Sequence, residues 1–434
     1  MYRLLLFFVA LIPISPAVSQ PTANNHESLT QIIDAKADAI EERVIMWRRH
    51  LHQYPELSNR EFETAKYIEA HLRTLNLDDV RTEVGITGVV GILKGGKPGQ
   101  VVALRADMDA LPVTERVDLS FASKVKTTFN DQQTGVMHAC GHDTHVAILM
   151  ATAEILASLR EEIPGTVVFI FQPAEEGAPH GEEGGAALMI KEGVLDDPKV
   201  DIIYGLHISS NLEAGKIRYR PQGLLAAADR YTIKVKGKQT HGSAPWNGVD
   251  PVVVSAQIIL GLQTIISRQT ELTKDAAVIT VGRINGGIRN NIIPETVEME
   301  GTIRTMDTAM QRVIHEKIIQ TATLIAQSAG AEAEVNIYRG VPVTYNHVEL
   351  TQRSVPVLYK VAGEENVFLS RPITGAEDFS FFAEKIPGFF FFLGGMPKGM
   401  DVKDAAPHHT PDFYIEESGM KLGVRAMCNL IVGS

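Results

Sequence analysis

Four runs of apolar, mostly β-branched residues constrain the fold of this chain more than anything else in it: Gly88-Val-Val-Gly-Ile-Leu93, Val101-Val-Ala-Leu104, Thr166-Val-Val-Phe-Ile-Phe171 and Asp201-Ile-Ile-Tyr-Gly-Leu206. A strand with one wet face alternates apolar and polar residues, whereas a strand covered on both faces does not. These runs are continuous, so they predict a sheet buried between two layers. Helical patterns over about 144–160 and 184–193 separate them, and two more, 29–53 and about 59–75, come first. Strands alternating with helices imply an α/β domain with a largely parallel sheet. Polar clusters follow three of the runs: Asp107 and Asp109 after the second, Glu175 and Glu176 after the third, His207 after the fourth. Open α/β sheets bind ligands at that edge, so residues far apart in sequence are expected to meet in one crevice.

A different grammar begins at Arg230. Tyr231-Thr-Ile-Lys-Val-Lys, Val297-Glu-Met-Glu-Gly-Thr-Ile-Arg304 and Ala333-Glu-Val-Asn-Ile337 alternate apolar and polar residues, with Val278-Ile-Thr-Val281 between them and helical patterns over about 250–268 and 307–329. The order β-α-β-β-α-β predicts a ferredoxin-like domain, one sheet face on two helices and the other exposed. We place it at 222–337, inserted between two parts of the first domain, 20–221 and 338–434. Pro387-Gly-Phe-Phe-Phe-Phe-Leu393 then supplies a last buried strand to that first domain. Two domains also suit a chain of 434 residues, longer than one hydrophobic core usually serves.

The formal charge of −11, with no basic run, argues against nucleic acid or an anionic membrane and in favour of small molecules or peptides as partners. Met1-Tyr-Arg3, an apolar run from Leu4 to Ile14 and a small-residue pattern ending at Ser19 predict a cleavable signal over 1–19 and export to the periplasm or medium. No later stretch reaches eighteen apolar residues, so no stable membrane span is expected. Export permits disulfides, yet the only cysteines are Cys140 and Cys428. If Cys140 binds metal, Cys428 is an unpaired, buried helix residue.

Reactive side chains are densest in Met137-His-Ala-Cys-Gly-His-Asp-Thr-His145, just before an apolar helix pattern. We read a loop feeding a helix, with Asp143 or Thr144 as its N-cap. Thiolate and imidazole suit zinc and similar divalent ions, which makes a metal site the first reading. A buried free cysteine among satisfied histidines, or a cysteine–histidine nucleophile pair, are the others. Over the whole chain the candidate ligands are Cys140, His142, Glu176, His207 and one of His408 and His409. Five donors exceed one tetrahedral ion and suggest two, with a water made nucleophilic. Adjacent residues at a strand end point in different directions, so Glu176 is assigned to the metal and Glu175 to the general base. Asp109 can orient a ligand imidazole through its second N–H, or simply close a turn. His241, in the inserted domain, is either a surface-loop residue or a transition-state stabiliser delivered by domain closure or by another subunit. Arg304 suits a planar carboxylate, or a surface ion pair.

Eight blocks, in order, resemble one family: Arg105-Ala-Asp-Met-Asp-Ala-Leu-Pro112, Met137-His-Ala-Cys-Gly-His-Asp143, Phe171-Gln-Pro-Ala-Glu-Glu-Gly177, Gly205-Leu-His207, His241-Gly-Ser-Ala-Pro245, Asn291-Ile-Ile-Pro294, Gly375-Ala-Glu-Asp-Phe379 and His409-Thr-Pro-Asp-Phe413. The family is that of the co-catalytic metallopeptidases and amidohydrolases, which include hippurate hydrolase, auxin-conjugate hydrolases and other N-acyl-amino-acid amidohydrolases. The resemblance implies a ferredoxin-like lid that also forms a homodimer. It implies two divalent ions, of manganese, zinc, cobalt or nickel, held by Cys140, His142, Glu176, His207 and His409, with Glu175 as general base. The expected substrate is a small N-acyl-amino acid whose free carboxylate meets Asn291 and Arg304 while His241 holds the oxyanion. A dipeptidase or carboxypeptidase of the same chemistry is the alternative; a ligand-capturing inactive homologue and a cysteine-nucleophile hydrolase are more distant ones. Arg289-Asn290 and Trp246 depart from the family pattern and leave the acyl preference open.

Overall fold

The structure is a computed structural model and describes residues 23–433, so the expected signal at 1–19 lies outside the described residues. The principal helices are α1 (Ala23–Gln53), α2 (Phe62–Arg73), α3 (His142–Ser158), α4 (Pro251–Thr264), α5 (Thr308–Ser328), α6 (Val348–Ala362) and α7 (Met420–Val432). The strands used below are β1 (Asp79–Val84), β2 (Gly88–Lys94), β3 (Lys97–Asp107), β4 (Pro164–Gln172), β5 (Ile202–Glu213), β6 (Ile217–Tyr219), β7 (Ala227–Lys236), β8 (Ala277–Gly286), β9 (Thr296–Thr305), β10 (Glu332–Val341), β11 (Val367–Leu369) and β12 (Gly388–Met396).

Eight strands form the first sheet, in the order β1-β2-β4-β3-β5-β12-β6-β11. Its centre is parallel, β4 with β3, β3 with β5 and β5 with β12, while β2 runs against both of its neighbours. The continuous run at 88–93 therefore belongs to an antiparallel strand. Two-sided burial, not strand direction, produces that pattern, since all of 88–93 is buried. The phenylalanine run of β12 makes the same point residue by residue. Phe389 and Phe391 pack with α1, α3 and α7 on one face, Phe390 and Phe392 with Phe379 and Phe382 on the other. Each fully buried ring contributes roughly 1.5–3 kcal/mol. Cys428 is buried and unpaired within α7.

α3 corrects one expectation. Its N-cap is Gly141, not Asp143 or Thr144, and Gly141 has φ +90°. Glycine takes that conformation without steric cost. A Cβ there would also lie 2.3 Å from Ile208 Cγ2, so the turn packs directly on β5. Asp143 instead pairs inward with Arg48 and His52.

The second sheet has the order β8-β9-β7-β10, antiparallel throughout, with α4 between β7 and β8 and α5 between β9 and β10. Both helices cover one face, where Tyr231, Ile233, Ile258 and Ile318 meet, and polar residues such as Lys234 and Glu298 pair on the other. Val341 still pairs with Ala228, so this sheet runs past residue 337. The two crossings into it, Gln222–Leu225 and Thr344–Asn346, pair with each other as a short ribbon. Pro251–Gln269 is the one helix among the described residues long and apolar enough by composition to cross a membrane, but Val254, Ile258 and Leu262 lie in the core of the second sheet.

Candidate metal centre and active site

At one edge of the first sheet the end of β3, the loop after β4, the middle of β5, the start of α3 and the loop before α7 converge. Cys140 Sγ lies 3.3 Å from Nε2 of both His207 and His409. His409 Nε2 is 3.1 Å from Glu176 Oε1, and His142 Nε2 is 3.9 Å from the same oxygen. Four loops and strands thus bring five donors together. Cys140 belongs to two overlapping groups, one with His142 and Glu176 and one with His207 and His408.

The hydrogen bonds aim ring nitrogens inward. His142 Nδ1 donates to Asp109, 2.9 Å from its carbonyl and 3.2 Å from Oδ1, which turns Nε2 into the shell. His207 Nδ1 donates to the Ile208 carbonyl at 2.5 Å, with the same effect. Burial opposes charge on the His142 ring, but the Asp107 and Asp109 carboxylates outweigh it and push the imidazole up to about 10, and a bound cation displaces the Nε2 proton. His142 Nε2 and Glu176 Oε1 are buried; among the described residues the first has no hydrogen-bond partner and the second has only the close, poorly aligned approach of His409 Nε2. A buried polar atom left in this way costs about 1–3 kcal/mol unless something satisfies it. A divalent ion does so: bonds of about 2.0–2.3 Å set tetrahedral ligands roughly 3.3–3.8 Å apart, close to the separations observed here. The thiolate, imidazole and carboxylate donors fit borderline-soft ions.

His408 and His409, left open by the spacing, differ in what they touch. His408 Nε2 accepts the Ser210 N–H at 3.1 Å, so its Nδ1 carries the proton and faces the sulfur at 3.7 Å. His409 has no such backbone partner and turns Nε2 to Cys140 and Glu176 from a left-handed backbone, φ +64°. His145 is fully engaged, between Asp107 Oδ1 at 2.5 Å and the Ile208 N–H at 2.7 Å.

Asp109 organises the glutamate pair. Its carboxylate accepts the N–H of Glu175 at 3.2 Å, the N–H of Glu176 at 3.1 Å and the Ser58 hydroxyl at 2.6 Å. Ala174, at φ +53°, makes the sharp turn that splays the two side chains. Burial and the nearby Glu377 carboxylate push Glu175 well above the usual carboxylate range. Burial, helped by His145, holds His207 well below the usual imidazole range, in its neutral ligand form. Burial and the Glu176 carboxylate push the Cys140 thiol well up, a direction that a bound cation reverses.

Behind the glutamates lies a network that the sequence reading did not single out. Arg105 is fully buried and donates to Asp107 at 2.8 Å, Gln172 at 2.8 Å and Asp378 at 2.8 Å, with Glu377 at 2.9 Å. An arginine inside an apolar strand is the one signal that could have revealed it, because such a residue is almost never buried unpaired.

The three lid residues are elsewhere. His241 and Asn291 are exposed neighbours, joined by the ribbon that pairs Thr240–His241 with Ile292–Ile293. His241 Nδ1 accepts the Ser243 N–H at 3.0 Å, which puts the ring proton on Nε2. Arg304 turns back to the Ile303 carbonyl at 3.3 Å. None of the three lines the cavity of about 570 Å³ that opens on Glu175, Glu176, His207 and His409.

The model of the peptidase family M20/M25/M40 matches residues 103–432. The chain belongs to this family. It is 41% identical over 397 residues to thermostable carboxypeptidase 1 of Saccharolobus solfataricus, covering 91% of this chain and 95% of that one. It is 36% identical over 433 residues to the IAA-amino acid hydrolase ILR1-like 2 of Arabidopsis thaliana, covering 99% and 93%. Among solved structures, a dinuclear metal binding peptidase of the M20 family from Bacillus subtilis superposes with a TM-score of 0.76 at 34% identity, covering 91% of this chain and 98% of that one. As an M20 protein, the chain is a metal-dependent hydrolase of amide bonds that uses divalent ions.

Proposed function

We propose that this enzyme hydrolyses the amide of small N-acyl-amino acids with a free carboxylate. The observation that carries this reading is the divided glutamate pair: Glu176 Oε1 is buried among the donors, 3.1 Å from His409 Nε2, while its neighbour Glu175 lines the cavity beside them. Cys140, His142, Glu176, His207 and His409 hold two divalent ions; manganese, zinc, cobalt and nickel all suit the donor set. When bound, such ions supply Lewis acidity and lower the pKa of water. Glu175 takes the proton of the attacking water and passes it to the leaving nitrogen. Its raised proton affinity, from burial and Glu377, suits that exchange.

His241, with its proton on Nε2, donates to the developing oxyanion, and Asn291 and Arg304 meet the substrate carboxylate. All three lie outside the cavity of their own chain, so they serve a neighbouring one in a homodimer formed through the lid. Exposed apolar side chains on the lid helices, Val253 and Leu260 on α4 and Ile319 and Leu324 on α5, support an interface there. The mature enzyme works in the periplasm or medium after loss of residues 1–19. A second reading, a carboxypeptidase acting on short peptides, is favoured by the likeness to the thermostable carboxypeptidase. Turnover of N-acyl-amino acids, dipeptides and carboxylate-blocked analogues, measured beside metal content, separates the two. Absence of turnover of every N-acyl-amino acid by metal-loaded protein overturns the first.

A further inference from the structure

The cavity beside the donor shell contains a cation that neither the metals nor the fold accounts for. Arg218 is the one lysine or arginine among the described residues lining it. It stands on β6 in register with Phe392 of β12, and Phe392 stands in register with His207 of β5. Registered neighbours on adjacent strands point to the same face, so His207, Phe392 and Arg218 form one row across three strands. The guanidinium lies over the Phe392 ring, 4.9 Å from its centroid, which turns it back toward β5. There Nη2 donates to Ser209 Oγ at 3.0 Å, and Ser209 in turn donates to Asn211 Oδ1 at 2.8 Å.

What Arg218 lacks is an acceptor of opposite charge. Among the described residues no carboxylate pairs with it or raises its proton affinity, and its Nε is buried without a hydrogen-bond partner. Burial alone lowers its proton affinity, whereas Arg49, Arg60 and Arg81 are raised by acidic partners. A half-buried guanidinium held by an aromatic face and one hydroxyl, with donors left over, is preorganised for a planar anion. Arg304, read above as reaching the cavity of a neighbouring subunit, does not line this one, so Arg218 is the guanidinium that the chain supplies to its own cavity.

We propose that Arg218 is the carboxylate receptor that this chain itself contributes to its active-site cavity, binding a substrate carboxylate through the donors it leaves unused, beside whatever Asn291 and Arg304 of a neighbouring subunit add. This rests on the amidohydrolase reading above. The carboxylate has two possible sources, the α-carboxylate of the amino acid or one that ends the acyl group.

The test uses the metal-loaded full enzyme and two substrate pairs: N-butanoyl-leucine against its carboxamide, and N-succinyl-leucine against N-butanoyl-leucine. In the wild type one pair shows a preference for the extra carboxylate. Arg218→Met collapses that preference by roughly 10- to 100-fold in kcat/KM, chiefly through KM, and Arg218→Lys restores part of it. Collapse in the first pair assigns the α-carboxylate, and collapse in the second assigns the acyl end; either supports the proposal. Unchanged preferences in both pairs, with normal metal content and melting temperature, overturn it while leaving the amidohydrolase reading intact. If the wild type hydrolyses neither these amides nor any other N-acyl-amino acid, that reading itself fails. Binding of free leucine and of succinate to wild type and Arg218→Met by calorimetry then decides whether Arg218 receives carboxylates at all.

Discussion

Replacing Asp109 by asparagine removes one charge and two lone-pair sites from the group that holds the donor shell in place. The carboxylate accepts four donors: His142 Nδ1, the N–H of Glu175, the N–H of Glu176 and the Ser58 hydroxyl. An amide offers only one accepting oxygen. If that oxygen serves His142 and Glu175, the amide NH₂ confronts Glu176 N–H and Ser58; the hydroxyl can rotate away, but the N–H cannot. One buried donor is then orphaned, at about 1–3 kcal/mol. If the amide turns the other way, it drives the His142 proton to Nε2, where a metal must bind. Loss of an outer partner of this kind typically weakens metal affinity 10- to 100-fold, about 1.4–2.7 kcal/mol, in line with one orphaned donor. Competition against a chromophoric chelator measures the affinity, and far-UV circular dichroism confirms that the variant is folded. A folded Asp109→Asn protein that binds metal as tightly as the wild type refutes the reasoning.

Glu175→Gln should keep its metal, by elemental analysis, and lose about two to four orders of magnitude in kcat; the wild type should lose activity to a chelator and regain it with added divalent ion. Arg105→Met leaves Asp107, Glu377 and Asp378 buried without their cation and should destabilise the fold by about 3–5 kcal/mol, read from urea unfolding of the metal-free protein. For His241, mixing separately inactive His241→Ala and Glu175→Gln proteins should recover about a quarter of wild-type activity, because half of randomly formed dimers are hybrids and each hybrid has one complete site. No recovery after verified subunit exchange means that His241 acts within its own chain or not at all.

The layers and much of the donor shell were legible because their signals are local. Continuous apolar runs report burial on both faces, as β12 shows with its phenylalanines divided between two cores. The cluster at 137–145 needs only nine residues to announce a thiol and imidazoles. The choice between His408 and His409 was not legible, since the two are adjacent and identical. What separates them is the Ser210 N–H, contributed by β5 almost two hundred residues earlier. The placing of Arg304 and the importance of Arg105 failed to show for the same reason: a single arginine says nothing about which carbonyl or carboxylate the fold will set beside it.

Backbone conformation was the other silent variable. Gly141, Ala174 and His409 all adopt positive φ, and each adjoins or supplies a member of the donor shell or its glutamate base. Glycine accepts this freely, but alanine and histidine do so at a cost that the surrounding contacts must offset. Ala174 is held by its N–H to Glu61 at 2.9 Å and His409 by its N–H to the Ala139 carbonyl at 2.8 Å. The second bond ties the loop before α7 to the residue preceding Cys140, so the ligand most remote in sequence is fastened to the one at the centre of the shell. A donor set assembled from such turns can be recognised by composition, but its geometry belongs to long-range hydrogen bonds that no local pattern encodes.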